Sequence, residues 1–151
     1  TTLLPGQAIT REWLLDMTAT TYSYATLTDM TGETLKTVLE DVCDNLFNPD
    51  PYYQQGGDMV RVGGLQFSCD PTASMGRRIN DMRLKGKPIE ASKKYKVAGW
   101  CPVAEEASKQ NLPMVWDLVE TWLKAQGGRV KPRKLNAPAV TGGLPNPGYV
   151  A

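Results

Sequence analysis

A chain of 151 residues with 41% hydrophobic content is long enough to build one domain around a real core. Its net charge of +1 gives no electrostatic reason to expect nucleic acid or an anionic membrane as a partner, and no apolar run approaches the roughly 18–20 residues that span a bilayer. Histidine is absent altogether, which removes both the commonest metal ligand and the commonest general base.

Eleven prolines and fourteen glycines promise many turns without low complexity. The three cysteines, Cys43, Cys69 and Cys101, lack metal-type spacing and read as buried or half-buried thiols packing as small hydrophobes. A Cys69–Cys101 disulfide is open to an exported protein, with one thiol left over. No cysteine is expected to be catalytic, because no histidine exists to activate it.

In chain order, Thr10 is a natural N-cap for a helix over 11–19, with Trp13, Leu14 and Met17 on one face. Residues 22–30, rich in aromatic and β-branched types, read as a strand. Thr31-Gly32-Glu33-Thr34 caps a second helix, whose apolar stripe is Leu35, Val38, Leu39, Val42 and Leu46. Asn48-Pro49-Asp50-Pro51 stops it. A loop from Tyr52 to Asp58 then leads to strands at Met59–Val62 and Leu65–Cys69, with a bend at Gly63-Gly64.

Ile79, Met82 and Leu84 mark another strand, which turns back at Lys85-Gly86-Lys87, and Lys94 to Trp100 a further one. Two helices follow near 103–110 and 115–126, the second facing Val115, Leu118, Val119 and Trp122 inward. Trp13, Trp116 and Trp122 are expected in the core. The expected fold is mixed α/β, a short-stranded mixed sheet with packed helices, over 1–128. The proline- and glycine-rich stretch 129–151 is expected to be an extended tail.

Three segments carry a resemblance. They are Gly6 to Thr10 (G-x-x-I-T), Thr31 through Leu39-Glu40 (T-G-x-x-L-x-x-x-L-E), and Val62 to Ala98, which holds Asp70-Pro71 and a terminal Y-K-V-A. Together they resemble the C-terminal domain of the 5′-nucleotidase family over about residues 6–100. Within it the run Asn45 to Arg61, then Gly99-Trp100 and Pro132 to Asn136, looks closest to the thiosulfohydrolase branch of sulfur-oxidising bacteria. The aromatic pair by which nucleotide-cleaving members hold a base falls here near Ala25 and Pro102, and Val103 to Glu106 replaces the glycine-rich segment. The purine clamp is missing unless Tyr24 and Trp100 substitute for it.

The resemblance implies a substrate-binding domain, with no metal or cofactor of its own, that belongs to a longer hydrolase. Two manganese or other divalent ions are expected in an N-terminal metallophosphoesterase-like domain, and the opening at Thr1 without methionine reads as a piece of such a chain. By the same resemblance the partners are that catalytic domain and a cysteine-bearing sulfur carrier protein, the compartment is the periplasm, and this piece alone is inactive.

A sulfonate on a thin peptide arm asks for cationic and N–H donors in a narrow channel of aromatic rings and glycine backbone. Gly56, Gly57 and Asp58 fit as backbone donors to the anion or arm, or as a tight turn feeding a strand. Tyr52 and Tyr53 fit the channel wall or packing under a loop. Tyr22 and Tyr24 share a strand face that lines a cleft or packs. Trp100 ends a strand after glycine, where α/β sites are commonly built, or is a buried indole. Arg61 holds the sulfonate or salt-bridges on a solvent face, and the cluster Arg129, Lys131, Arg133 and Lys134 is solvated or docks an acidic carrier. A nucleotidase parent and a stand-alone binding module remain the rival readings.

Overall fold

The computed structural model describes residues 3–18, 23–99, 112–131 and 136–142. Contacts divide the chain into two compact units, Thr1–Asp29 with Lys96–Pro132, and Met30–Tyr95 with Arg133–Ala151. The fold is mixed α/β, as the sequence leads one to expect.

In the first unit, helix α1 spans Arg11–Thr18. Thr10 caps it, its hydroxyl accepting from the Trp13 N–H at 3.1 Å. Leu14 is the buried residue of this helix, while Trp13 is half-buried and Met17 exposed. Helix α3, Val115–Ala125, packs on α1. Arg11 pairs with Glu120, and its second nitrogen lies 3.7 Å from Asp117. Lys124 reaches Glu120 one turn back at 2.7 Å.

The inward face expected for α3 is covered only in part. Val115, Trp116 and Val119 are half-buried, whereas Leu118 stays 44% exposed and Trp122 36%. One short neighbouring helix does not cover so wide an apolar stripe. The tryptophans expected in the core are therefore not fully buried. The expected helix near 103–110 lies outside the described residues.

Strand β1 is Thr26–Thr31 and pairs with β5, Lys94–Gly99, the division into units falling within these strands. β1 begins later than expected: Tyr24 makes only an isolated antiparallel bridge to Met114, closed by Ala25 N–H to Pro113 O and Val115 N–H to Ser23 O at 3.1 and 2.8 Å.

Helix α2, Gly32–Phe47, opens the second unit's core. Thr31 is its N-cap, accepting from the Thr34 N–H at 3.1 Å. Gly32 has a packing reason: a Cβ there would stand 2.3 Å from the Glu90 carbonyl oxygen and 2.5 Å from Ile89 Cγ2. The deepest face of α2 is Leu39, Glu40 and Cys43, rotated from the expected stripe, whose other members are half-buried.

A four-stranded sheet of order β4-β3-β2-β6 packs on it, with β2 at Leu65–Cys69, β3 at Ile79–Leu84, β4 at Lys87–Pro88 and β6 at Ala139–Val140. Leu39, Cys43, Phe67, Cys69 and Ile79 form the core, flanked by Met59, Val62, Leu65 and Met82. β2 and β3 run antiparallel, pairing Gln66 with Arg83 but Ser68 with Asn80. One residue, Phe67, thus opposes two, Asp81 and Met82, a bulge on β3 for which Asp81 takes a φ of 50°.

The strand expected at Met59–Val62 does not form. Met59 and Val62 pack against the core from an irregular segment, and regular pairing begins only after Gly63-Gly64. In the stretch expected to be a tail, Ala139–Val140 adds to the sheet in parallel beside Ser68 and Cys69, and Thr141 N–H donates to Cys69 O at 2.9 Å. Asn136 donates from its side chain to Leu65 O at 3.1 Å.

Candidate functional site

The candidate residues fall on both units. Tyr24 belongs to the first, and Tyr53, Gly56, Gly57, Asp58 and Arg61 to the second. Tyr22, Trp100, Cys101, Arg133 and Lys134 lie outside the described residues.

The loop after α2 is a built structure. Asn48 N–H closes the helix on Asp44 O at 2.9 Å, and its side-chain oxygen accepts from Asp50 N–H at 3.0 Å. Asp50 in turn accepts from Tyr52 N–H at 3.0 Å and caps a 3₁₀ turn over Pro51–Tyr53. Gln54 reaches back to Asn48 O at 2.7 Å. This turn holds the two rings outward: Tyr52 is 95% exposed and Tyr53 66%.

Gly56 and Gly57 both take left-handed backbone, with φ of 79° and 95°. Among the described residues no atom would meet a Cβ at either position within 4 Å, so the space beside this backbone is open to them. Gly56 N–H is already spent on Asn45 O at 3.2 Å, whereas the Gly57 N–H has no partner among the described residues. Asp58 and Arg61 are exposed, Arg61 on irregular backbone rather than in a strand. One surface loop thus gathers two tyrosine rings, an open glycine backbone, a carboxylate and a guanidinium. Tyr24, on the first unit, is 52% exposed.

Beneath the loop lies a buried polar node. Glu40 accepts three backbone N–H groups, from Ile79 at 2.8 Å on one oxygen and from Gly76 and Arg78 at 2.8 and 3.3 Å on the other. Arg78, 2% exposed, pairs with Asp44 and donates to Phe47 O at 3.2 Å. Those bonds from Arg78, with one from Asn48, hold the Asp44 carboxyl below its ordinary range. The node ties the turn before β3 to the end of α2, from which the loop departs. The Glu40 that closes the T-G motif was visible in sequence; that it is buried was not, because a lone glutamate on a helix ordinarily faces water.

These acids do not fit a two-metal centre. The chain has no histidine, and among the described residues no three Cys, Asp or Glu converge. Glu40, Asp44 and Asp70 are engaged instead in protein hydrogen bonds. Burial first, then its contact with Cys69, pushes the Cys43 thiol up to about 12, which disfavours its thiolate in the folded chain.

The model of the family "5′-nucleotidase, C-terminal domain" matches residues 1–111. Among solved structures, the sulfate thiohydrolase SoxB of Thermus thermophilus, in complex with glycerol, is similar at a TM-score of 0.81 and 34% identity, covering 94% of this chain and 27% of that one. A Staphylococcus aureus protein assigned as a 5′-nucleotidase, in complex with α-ketoglutarate, shares the fold at a TM-score of 0.55 and 13% identity, over 85% of this chain and 29% of its own. No curated protein matches. The chain therefore spans about a quarter of the SoxB chain it resembles, and it belongs to the 5′-nucleotidase C-terminal domain family.

Proposed function

We propose that this chain is the substrate-capturing domain of a two-domain, periplasmic hydrolase that releases sulfate from a cysteine-bound S-thiosulfonate on a carrier protein. The observation that carries the reading is the likeness to SoxB across nearly the whole chain, far above that to the nucleotidase-like structure. The exposed tyrosine–glycine loop supports it, since its open backbone suits a thin peptide arm.

In this reading Tyr52 and Tyr53 flank the arm, and Gly57 N–H and Asp58 bond its backbone. Arg61 supplies a charge-assisted hydrogen bond to the sulfonate. Tyr22, Tyr24 and Trp100 are the further lining residues proposed. Two manganese or other divalent ions, held by an N-terminal domain, would supply the activated water. The chain alone binds and does not hydrolyse.

The test gives the two-domain protein, loaded with manganese, a peptide bearing a cysteine S-thiosulfonate in one assay and AMP in another. Sulfate without phosphate is the expected result; phosphate without sulfate would make it a nucleotidase. In the same assay Arg61→Ala is expected to raise KM for the sulfonate peptide roughly tenfold, the loss of one hydrogen bond to a charged group.

A further inference from the structure

Cys43 and Cys69 belong to different elements. Cys43 sits in the fourth turn of α2, and Cys69 ends β2, between β3 and β6. Both are buried, in a core of Leu39, Phe67 and Ile79, and their sulfurs lie 3.0 Å apart. An S–S bond measures about 2.05 Å, so roughly 1 Å of sulfur movement joins them, within reach of modest χ1 rotation.

We propose that Cys43 and Cys69 form a disulfide when the chain folds under oxidising conditions, stapling α2 to β2. The bond would close the segment between them, which contains Tyr53, Gly56, Gly57, Asp58 and Arg61, and so tether both ends of the loop that carries these residues. Each thiol gives up its hydrogen, the two sulfurs join, and a small or protein disulfide acting as oxidant is reduced to two thiols. The inference does not depend on which substrate the loop takes.

Burial sets when this happens. Exchange needs a thiolate, and a thiol pushed up to about 12 in a closed core supplies almost none near neutral pH. With Cys43 and Cys69 both buried, no oxidant reaches either sulfur in the closed core, so the bond forms while the chain is still open and, once formed, is out of reach of reductants.

The experiment refolds the full chain from denaturant with oxidised glutathione, confirms the fold by circular dichroism, and blocks remaining thiols with N-ethylmaleimide under denaturing conditions. Peptide mapping should show Cys43 linked to Cys69, with two hydrogens lost and a single maleimide on Cys101. A Cys69–Cys101 link, or three blocked cysteines in the folded oxidised protein, overturns the proposal. Cys101→Ser keeps the test open if that thiol misdirects pairing: it should carry no maleimide. The oxidised form should melt about 10 °C above the reduced form, the entropy of closing a loop of about 27 residues. Equal melting would remove the staple.

Discussion

The first unit closes on Leu14 and Thr26 as its buried described residues and leaves Ile9, Met17, Leu118 and Trp122 at the surface. The second encloses Leu39, Cys43, Phe67, Cys69 and Ile79, with Glu40 and Arg78 buried among them. The first is joined by exposed ion pairs between two short helices, the second by a helix laid on a sheet and locked by a carboxylate that satisfies three backbone donors. The difference teaches that the glycine–tyrosine loop springs from the unit with the larger buried core. Its anchor points, Asn45, Asn48 and the end of α2, are fixed by the same node that fixes β3.

On that contrast the largest loss of stability should come from Glu40→Ala. It strands the buried N–H donors of Arg78 and Ile79 and frees that of Gly76, a cost of about 3–5 kcal/mol measured by urea unfolding. A loss under 1 kcal/mol would mean that water replaces the carboxylate and that the node does not anchor the unit. Next, Ile79→Ala should cost about 3–4 kcal/mol, while Trp122→Ala, which removes a larger but exposed side chain, should cost about 1 kcal/mol or less. Similar values for the two would erase the distinction between the units. Gly32→Ala should follow at about 1–3 kcal/mol, because the new methyl must push against the Glu90 carbonyl, which is backbone and does not give way.

The sequence shows the second unit better than the first, for reasons visible in particular residues. Thr31 and Gly32 mark the start of α2 because capping and close approach are local demands, and the Lys85-Gly86 turn is equally local: both residues take positive φ, 52° and 78°. Met59–Val62 misleads because β-branched residues in alternation suit a strand, yet among the described residues no strand pairs with the segment, and Met59 and Val62 pack on the core while Val60 stays exposed. Trp122 misleads in the opposite way: helical periodicity states which residues share a face, not whether anything covers it. Of the candidate site, the glycines and tyrosines were readable as a loop. That Gly56 spends its N–H on Asn45 was not, since that bond depends on where α2 ends.

The smallest effect separates the two kinds of ion pair. Arg78–Asp44 is enclosed, with side chains 2% and 18% exposed, whereas Arg11–Glu120 leaves 57% and 25% in water. Both carboxyls are held below their ordinary range, Asp44 by Arg78 and Asn48 and Glu120 by Lys124 and Arg11. A depressed folded pKa means that each contributes stability above the ordinary carboxylate range and loses it as pH falls through the lower folded value. Solvent screens the exposed pair, so Glu120→Gln should shift Tm at pH 7 by no more than about 2 °C and flatten the acid limb only slightly. Asp44→Asn should lower Tm at pH 7 more and flatten the decline between pH 5 and 2, since the charge whose protonation drives that decline is gone. Melting curves across that range for the two variants decide it. An acid limb flattened equally by both would place the first unit's surface pairs on the same footing as the second unit's buried one.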